Sequence, residues 1–294
     1  MLQISRLRGP LLVLAGALCF SCSGFLQAIA PLGATPYVIA GCRMLIGAAT
    51  LFLYLYVSGR KVHWGNWPWN NILVCAVALW FFQMSFFNSV LLVGVAIGTV
   101  VSIGVTPIFS GIITWVMEKK SPVLAWYPAT VLAIIGLFLI NTIESADFAW
   151  YDLLLPIFAG ACYSVEICVS KPLTDNHSAE ESMMLIMFLV GLGLVPFFFF
   201  YPVEWVATVD GIAVALGLGV VTAACAFSLL VAGIKTTPAP IASTLALGEP
   251  MGAALLGILI LGEPCDIKSL LGIASIFASI VVLVIAEVKE KSQG

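Results

Sequence analysis

Charged residues are scarce in this chain. Asp, Glu, Lys and Arg make up 9% of its 294 residues, against roughly 25% in typical soluble domains. None occurs between Lys61 and Glu118, whereas hydrophobic residues account for 62% of the chain. This composition excludes a water-soluble globular domain, because long uncharged apolar runs are typical of segments that lie in a bilayer. The chain is therefore predicted to be an integral membrane protein with the lipid bilayer as its main surroundings.

Residues that could support catalysis or bind a metal are also few. The two histidines, His63 and His177, fall in polar connections, and Cys19-x-x-Cys22 has neither a second cysteine pair nor a nearby histidine. The apolar stretches contain no paired acids such as Asp-x-x-Asp, and the sequence has no glycine-rich phosphate-binding loop. These absences argue against ATP-driven transport and against an enzyme. We expect no cofactor, no metal and no nucleic-acid partner.

The apolar residues fall into ten stretches long enough to cross a bilayer. One helix over residues 71–117 would be about 70 Å long, more than twice the ~30 Å hydrocarbon core, so we expect a turn at Gly94. Helices satisfy their own backbone hydrogen bonds and are the natural spanning element. The predicted spans are residues 10–28, 37–57, 70–92, 95–117, 124–142, 151–170, 182–201, 211–233, 239–260 and 268–286.

The second half of the chain repeats the first at an offset of 143 residues. Cys19-Phe20-Ser21 aligns with Cys162-Tyr163-Ser164, and Pro107 aligns with Pro250. Identity between the halves is low, so hydropathy and the paired prolines carry this alignment. The offset indicates an internal duplication.

The duplicated unit contains an odd number of spans, so its second copy must insert upside down. The sequence therefore predicts an all-α polytopic membrane protein of ten transmembrane helices, arranged as two inverted five-helix repeats over residues 1–145 and 146–294. This is a common plan of secondary transporters, whose substrate site lies where the inverted halves meet.

Basic residues fix the predicted orientation. With the N-terminus in the cytoplasm, only Lys268 falls outside and only Arg43 lies within a span. Such a bias follows the positive-inside rule, and we predict a bacterial inner-membrane protein with both termini in the cytoplasm. The predicted cytoplasmic basic residues are Arg6, Arg8, Arg60, Lys61, Lys119, Lys120, Lys171, Lys235, Lys289 and Lys291.

Three ionisable residues lie within the predicted spans: Arg43, Glu166 and Glu249. A charge at mid-membrane costs about 2.5–3.5 kcal/mol on insertion scales, so each should face the bundle interior or water. Arg43 and Glu249 differ in depth by only about 5 Å at 1.5 Å per residue, and we predict that they form a charge pair or take part in coupling. A purely structural ion pair is the alternative. Glu166 lies deeper and lacks a predicted partner, which makes proton coupling through a carboxyl group a hypothesis.

Two prolines interrupt equivalent predicted spans. Pro107 follows Thr106, and Pro250 follows Glu249 at the corresponding place. A proline inside a helix removes one backbone hydrogen bond and bends the helix. Thr106, Pro107 and Pro250 are therefore candidate hinge residues, and the alternative is a kink that only improves packing.

The third predicted span carries aromatic and amide groups that we expect to face inward. Trp80, Gln83, Phe87 and Asn88 follow one another at i, i+3, i+7 and i+8. An aromatic wall with a few hydrogen-bonding groups suits an amphipathic solute or an organic cation, whereas ordinary interhelical packing is the competing interpretation. The candidate substrate-binding residues are Trp80, Gln83, Phe87, Asn88, Tyr163 and Glu166.

Four ordered motifs resemble the EamA-type members of the drug/metabolite transporter superfamily. They are Tyr37–Thr50 around Arg43, the segment Phe86-Phe87, residues Gly94–Pro107, and Thr244–Met251 followed by Leu261-Gly262-Glu263. The resemblance implies two inverted five-helix repeats, a central cavity and alternating access to small organic metabolites, with amino acids often exported. Among its subfamilies, the chain is similar to bacterial aromatic amino acid exporters of the YddG type.

The resemblance does not extend to every candidate residue. Arg43 and Glu249-Pro250 match family motifs by position, whereas Glu166 replaces an expected aromatic or small residue and Thr106 offers no acid equivalent to Glu249. We expect a secondary active transporter that moves amino-acid or amine-like solutes across the inner membrane by alternating access. A facilitative channel or uniporter is the alternative, and a membrane-embedded enzyme is a distant third. A small-molecule substrate is the expected partner, and a monomer is a plausible oligomeric state.

Overall fold

The computed structural model describes residues 2–60, 62–63, 65–141, 149–262 and 266–293. Within these ranges every regular element is helical, which confirms the predicted all-α class. The helices are α1 Leu2–Ala28, α2 Pro36–Val57, α3 Trp69–Val93, α4 Val95–Glu118, α5 Trp126–Ile140, α6 Leu154–Ser170, α7 Ala179–Leu194, α8 Val209–Ile234, α9a Ala239–Leu245, α9b Gly248–Leu256 and α10 Ile267–Gln293.

The lengths of these helices agree with the predicted ten spans, with one exception. Nine described segments are long and apolar enough to cross a membrane. The fifth, α5, has only 15 helical residues, so it is shorter than the predicted span 124–142. The predicted boundary between the repeats, 145/146, falls within residues 142–148 and lies outside the described residues.

A single residue connects α3 to α4. Val93 is the last residue of α3, Val95 is the first of α4, and Gly94 between them has φ 85° and ψ 160°. A residue with a Cβ atom is strained at this positive φ, whereas glycine adopts it without penalty. The turn that the length argument places at Gly94 is therefore confirmed.

Helix α9 is broken, and Pro250 explains the break. α9a ends at Leu245 and α9b begins at Gly248. Pro250 has no N–H to donate to the Ala246 carbonyl, and its ring would crowd that oxygen in a regular helix. The Ala246 carbonyl accepts instead from the Glu249 N–H at 2.9 Å. Pro107, its counterpart, lies inside a continuous α4.

The helices pack in a pattern that is symmetric between the two halves. α2 packs on its counterpart α7, and α5 packs on its counterpart α10. α3 and α4 both pack on α6, and their counterparts α8 and α9 both pack on α1. When each helix is replaced by its counterpart in the other repeat, the same set of packed pairs results, as expected for an inverted duplication.

The same symmetry holds at atomic scale. A Cβ built on either Gly136 or Gly272 would lie 2.7 Å from the carbonyl oxygen of the other, so these glycines bring α5 and α10 into backbone contact. The offset of 143 maps this pair onto Ser279 and Ala129, and Ser279 Oγ donates to the Ala129 carbonyl at 2.7 Å. The two helices therefore cross at a local two-fold axis.

Candidate substrate cavity

A cavity of about 710 Å³ lies where the two halves meet. Its volume falls within the range of roughly 300–1,000 Å³ that is usual for small-molecule sites. Residues from both repeats form its wall, because α1 to α5 contribute from the first half and α6, α8, α9 and α10 from the second. This is where the inverted-repeat plan predicts a substrate site.

The cavity extends toward one end of the helical bundle. There it is lined by Ala28 at the end of α1, Pro36 at the start of α2, Asn141 after α5 and Ser269 near the start of α10. Ala28 is exposed. In the orientation predicted from the basic residues, this is the outer face of the membrane.

Hydroxyl groups connect the helices at the opposite end of the cavity. Ser110 of α4 and Ser243 of α9a share a hydrogen bond at 2.6 Å. Trp126 of α5 donates its Nε1–H to Thr244 Oγ1 at 3.0 Å, and Thr130 lies at 3.0 Å from the same oxygen. All five side chains, here called the inner hydroxyl cluster, are buried. Their hydrogen bonds connect α4, α5 and α9a at this end of the cavity.

Two charged side chains of opposite sign line the cavity. Arg43 comes from α2, and Glu249 comes from the first turn of α9b. Arg43 Nη2 donates to the Thr222 carbonyl at 3.3 Å, and its guanidinium lies 5.9 Å from the centroid of the Phe227 ring. Its Nε has no hydrogen-bond partner among the described residues.

Arg43 and Glu249 both line the cavity, but they do not form a direct ion pair with each other. Within the described ranges, the pairs with N–O separations up to 4.0 Å are Arg60–Glu180, His63–Glu181 and Lys171–Glu118. The two residues of the predicted charge pair are thus brought to one cavity, with their charged groups more than 4.0 Å apart.

The structure places three of the candidate binding residues in the cavity wall: Gln83, Phe87 and Tyr163. Gln83 is 2% exposed, and its Nε2 has no hydrogen-bond partner in the described part of the chain. A buried amide without a partner is costly, and here it lies beside a space that a ligand can fill. Gln83 is therefore the best placed neutral hydrogen-bonding group of the site.

Trp80 and Asn88 point away from the cavity. Trp80 donates its Nε1–H to the Gly193 carbonyl of α7 at 3.1 Å. Asn88 accepts from the Tyr37 hydroxyl at 2.8 Å and donates to the Met84 carbonyl at 2.7 Å. The four residues of the predicted α3 face therefore divide between the cavity and the contacts with α2 and α7.

Glu166 is also separate from the cavity. Its side chain is fully buried, and neither carboxylate oxygen has a hydrogen-bond partner among the described residues. It lies where α6 packs on α3, with Cys75 Sγ donating to its main-chain carbonyl at 3.8 Å. The geometry thus does not support the expectation that Glu166 contacts substrate.

Of the candidate hinge residues, only Pro250 lines the cavity. Thr106 and Pro107 are buried in α4, and Thr106 Oγ1 donates to the Ser102 carbonyl one turn earlier at 2.9 Å. The two prolines therefore occupy equivalent positions in the repeat but different surroundings.

Part of the aromatic wall was not predicted from the sequence. Phe82 stacks on Tyr163 at a centroid distance of 4.9 Å and on Phe86 at 5.6 Å, and Phe86 contacts Phe87 edge to face at 5.7 Å. These four rings, here called the ring ladder, all line the cavity. The spacing of Phe82 and Phe86 at i, i+4 places them on one helix face and could have identified them.

A helical membrane protein with inverted repeats around a central, one-ended cavity has the architecture of a small-molecule transporter. Comparison with known proteins makes this class more specific. The pattern of the EamA-like transporter family matches the chain twice, over residues 7–142 and 150–285. The chain belongs to the EamA-like transporter family.

Individual relatives support the same assignment. The chain is 33% identical over 285 residues to the uncharacterized transporter YwfM of Bacillus subtilis (strain 168), covering 96% of this chain and 95% of that protein. It is 30% identical over 151 residues to an uncharacterized transporter of Archaeoglobus fulgidus, covering 51% of this chain and 53% of that protein. A solved crystal structure superposes with a TM-score of 0.82 over 95% of this chain and 96% of its own, at 16% identity, and shares the fold. These names point to a membrane transporter rather than an enzyme.

Proposed function

We propose that the protein is a secondary active transporter that moves amino-acid or amine-like solutes across the bacterial inner membrane by alternating access. The observation that carries the substrate class is the joint presence of Arg43, Glu249 and the ring ladder in one cavity. The basic residues predict that both termini lie in the cytoplasm, and in this orientation the cavity opens to the outside. The resemblance to amino acid exporters favours export as the direction.

The cavity offers a complementary group for each part of a zwitterion with an apolar side chain. Glu249 accepts from the ammonium group and Arg43 donates to the carboxylate, since charge-assisted hydrogen bonds are the strongest polar contacts available. The ring ladder holds the apolar part, and its ring faces also attract a cation. Gln83 supplies a neutral donor that has no hydrogen-bond partner among the residues that the structure describes.

The difference between the two ends of the cavity favours a carrier over a channel. A carrier opens its site to one side at a time, whereas a channel needs a path through both ends. Here the inner hydroxyl cluster connects α4, α5 and α9a opposite the open end. The break before Pro250 lies in α9, which contributes residues both to the cavity wall and to this cluster. This break is therefore the favoured hinge.

Proton coupling is assigned to Glu249 rather than Glu166. Glu249 lines the cavity and is partly exposed, so water and substrate can reach its carboxyl group. Glu166 is fully buried outside the cavity wall. In vesicles carrying an imposed proton gradient, we expect Glu249→Gln to lose gradient-driven uptake and Glu166→Gln to keep it. Equal loss in both variants would contradict this assignment.

The substrate class can be tested with three molecules that share a phenyl ring and differ in charge. L-phenylalanine is a zwitterion, 2-phenylethylamine a cation and 3-phenylpropionate an anion. We expect the purified protein to be stabilised against heat by the zwitterion most and by the anion least, because binding stabilises the folded state. Reconstituted vesicles should then show counterflow of labelled L-phenylalanine. No stabilisation by any of the three, or non-saturable flux, would overturn the proposal.

A further inference from the structure

Two serines related by the repeat make the same unusual contact. Ser21 Oγ of α1 donates to the Glu249 carbonyl of α9b at 2.8 Å, and Ser164 Oγ of α6 donates to the Thr106 carbonyl of α4 at 2.8 Å. The offset of 143 relates both the donors and the acceptors. Both acceptor carbonyls belong to the residue before a proline. The duplication has therefore retained an interhelical hydrogen bond at each of these positions.

Each serine hydroxyl is also held by its own helix. Ser21 Oγ lies 3.0 Å from the Ala17 carbonyl, and Ser164 Oγ lies 2.7 Å from the Gly160 carbonyl, one turn earlier in both cases. A hydroxyl group has one proton, which the two carbonyls share. The serine is therefore fixed by its own helix while it contacts the neighbouring one.

The consequence of this hydrogen bond differs between the halves because the acceptor helices differ. α4 is continuous through Thr106, so the regular helix already fixes that residue. Glu249 instead follows the break in α9, where its N–H bonds the Ala246 carbonyl three residues back. The bond from Ser21 is thus a tertiary constraint on the backbone of the residue that carries the acidic side chain of the cavity.

The approach of α1 to α9b depends on a glycine. A Cβ atom at Gly252 would collide with Ser21 Oγ, so the missing side chain makes room for the hydroxyl group. Ser21 lines the cavity beside Glu249, whereas Ser164 is fully buried. Only one of the two equivalent bonds therefore lies at the cavity.

We propose that Ser21 is a positioning residue that fixes the first turn of α9b and so directs the Glu249 carboxyl group into the cavity. Ser21 affects substrate recognition through Glu249, and this effect on recognition rests on the proposed function. The orientation of Glu249 itself does not depend on which molecule is transported. It can therefore be measured without a substrate.

The first test follows the chemical accessibility of Glu249 in the full-length protein. Dicyclohexylcarbodiimide adds to carboxyl groups that it reaches from an apolar or partly wet space, and mass spectrometry locates the adduct. We expect Glu249 to be labelled and Ser21→Ala to slow that labelling about fivefold, the factor that corresponds to one hydrogen bond. Ser164→Ala is the matched control, because it removes the equivalent hydrogen bond to Thr106, a residue without an acidic side chain. This variant should leave the rate of Glu249 labelling unchanged.

A second variant separates hydrogen bonding from packing. Ser21→Cys keeps nearly the same size but is a weak donor, so it should label as slowly as Ser21→Ala. It also serves where the alanine variant fails to fold. Wild-type labelling in the cysteine variant, equal slowing in the Ser164→Ala control, or no labelling of Glu249 in the native protein would each overturn the proposal.

The second test asks whether Ser21 acts through Glu249 on L-phenylalanine. Ser21→Ala should raise the half-saturation concentration about fivefold with little change in maximal rate. Combined with Glu249→Gln, it should add no further effect, whereas independent sites give additive changes. Additivity would overturn the positioning role. A wild-type protein that does not bind L-phenylalanine would contradict the proposed substrate class, and the labelling result would still decide the role of Ser21.

Discussion

At the scale of single residues, the acids Glu249 and Glu166 have opposite surroundings. Glu249 is partly exposed in a cavity that also contains Arg43, whereas Glu166 is sealed between helices with both oxygens unpartnered among the described residues. An unpartnered polar group in a protein interior costs stability, and replacing it with an apolar group of similar shape can be neutral or stabilising. Substitution of Glu166 should therefore change the stability of the protein, whereas substitution of Glu249 should change its affinity for the substrate.

The first prediction concerns Glu166. We expect Glu166→Leu to raise the unfolding temperature in detergent, because the substitution removes the unpartnered carboxyl group, and to leave L-phenylalanine binding unchanged. Glu249→Gln should lower the affinity for L-phenylalanine about tenfold or more, the loss typical of one hydrogen bond to a charged group. Thermal unfolding and binding titrations measure both effects. Loss of binding in Glu166→Leu would place this acid at the substrate site after all.

The second prediction concerns the glycines at the crossing of α5 and α10. A Cβ at Gly136 would lie 2.7 Å from the Gly272 carbonyl, so Gly136→Ala must force the helices apart. We expect a destabilisation of about 1–3 kcal/mol. Gly24→Ala in α1 is the matched control, since nothing lies within 4 Å of its added methyl group, and it should be neutral or stabilising. Similar unfolding temperatures for the two variants would contradict this close contact.

At the scale of helices, the broken α9 is the main departure from a regular bundle. The third prediction is that Pro250→Ala lowers the maximal transport rate and raises thermal stability, because alanine restores a donor to the Ala246 carbonyl and favours a continuous helix. Pro107→Ala is the control in the unbroken α4 and should affect the rate less. Transport rates in vesicles and unfolding temperatures in detergent measure both. Equal changes in rate would argue that the two prolines act alike.

The element level also shows what the sequence could predict. Long uncharged runs and Gly94 were enough to place the helices, since length and backbone hydrogen bonding leave few choices inside a bilayer. A bend was predicted at both Pro107 and Pro250, but only α9 is broken. The sequence could not distinguish the two prolines, because they look alike in sequence and differ in the tertiary contacts around them. The shortness of α5 was missed for a similar reason, as apolar residues continue beyond its helical part.

The faces of the helices were harder to predict than the helices themselves. In a soluble protein the buried face is the apolar one, but in a membrane the lipid-facing side is apolar as well. Gln83 and Phe87 were correctly assigned to an inward face, and Trp80 and Asn88, on the same helix, point to neighbouring helices instead. The helix that each side chain contacts depends on how α2 and α7 pack against α3. The spacing of residues in the α3 sequence does not predict these contacts.

At the scale of the whole molecule, the inverted repeat predicts a second conformation for the proposed carrier. In this structure Ser110 and Ser243 connect α4 to α9a at 2.6 Å, at the end that faces the cytoplasm in the predicted orientation. The offset of 143 maps Ser110 onto Ala253 and Ser243 onto Val100. Ala253 lines the cavity, and Val100 is buried in a cluster with Ala133, Leu137 and Leu247. If the two halves exchange conformations, the Val100–Ala253 pair should close when the Ser110–Ser243 pair opens.

The fourth prediction tests this exchange by cross-linking in a background whose native cysteines are replaced. Cysteines at Ser110 and Ser243 should form a disulfide readily while the cavity faces outward, and cysteines at Val100 and Ala253 should do so only when it faces inward. Either cross-link should stop transport, because each holds one end closed, and reduction should restore it. Rapid formation of both cross-links in one population that does not transport would show that the two ends do not alternate. The offset relates a hydrogen-bonded hydroxyl pair at one end of the cavity to an apolar pair of residues in the other half of the repeat, and this relation turns the duplication into a mechanical prediction.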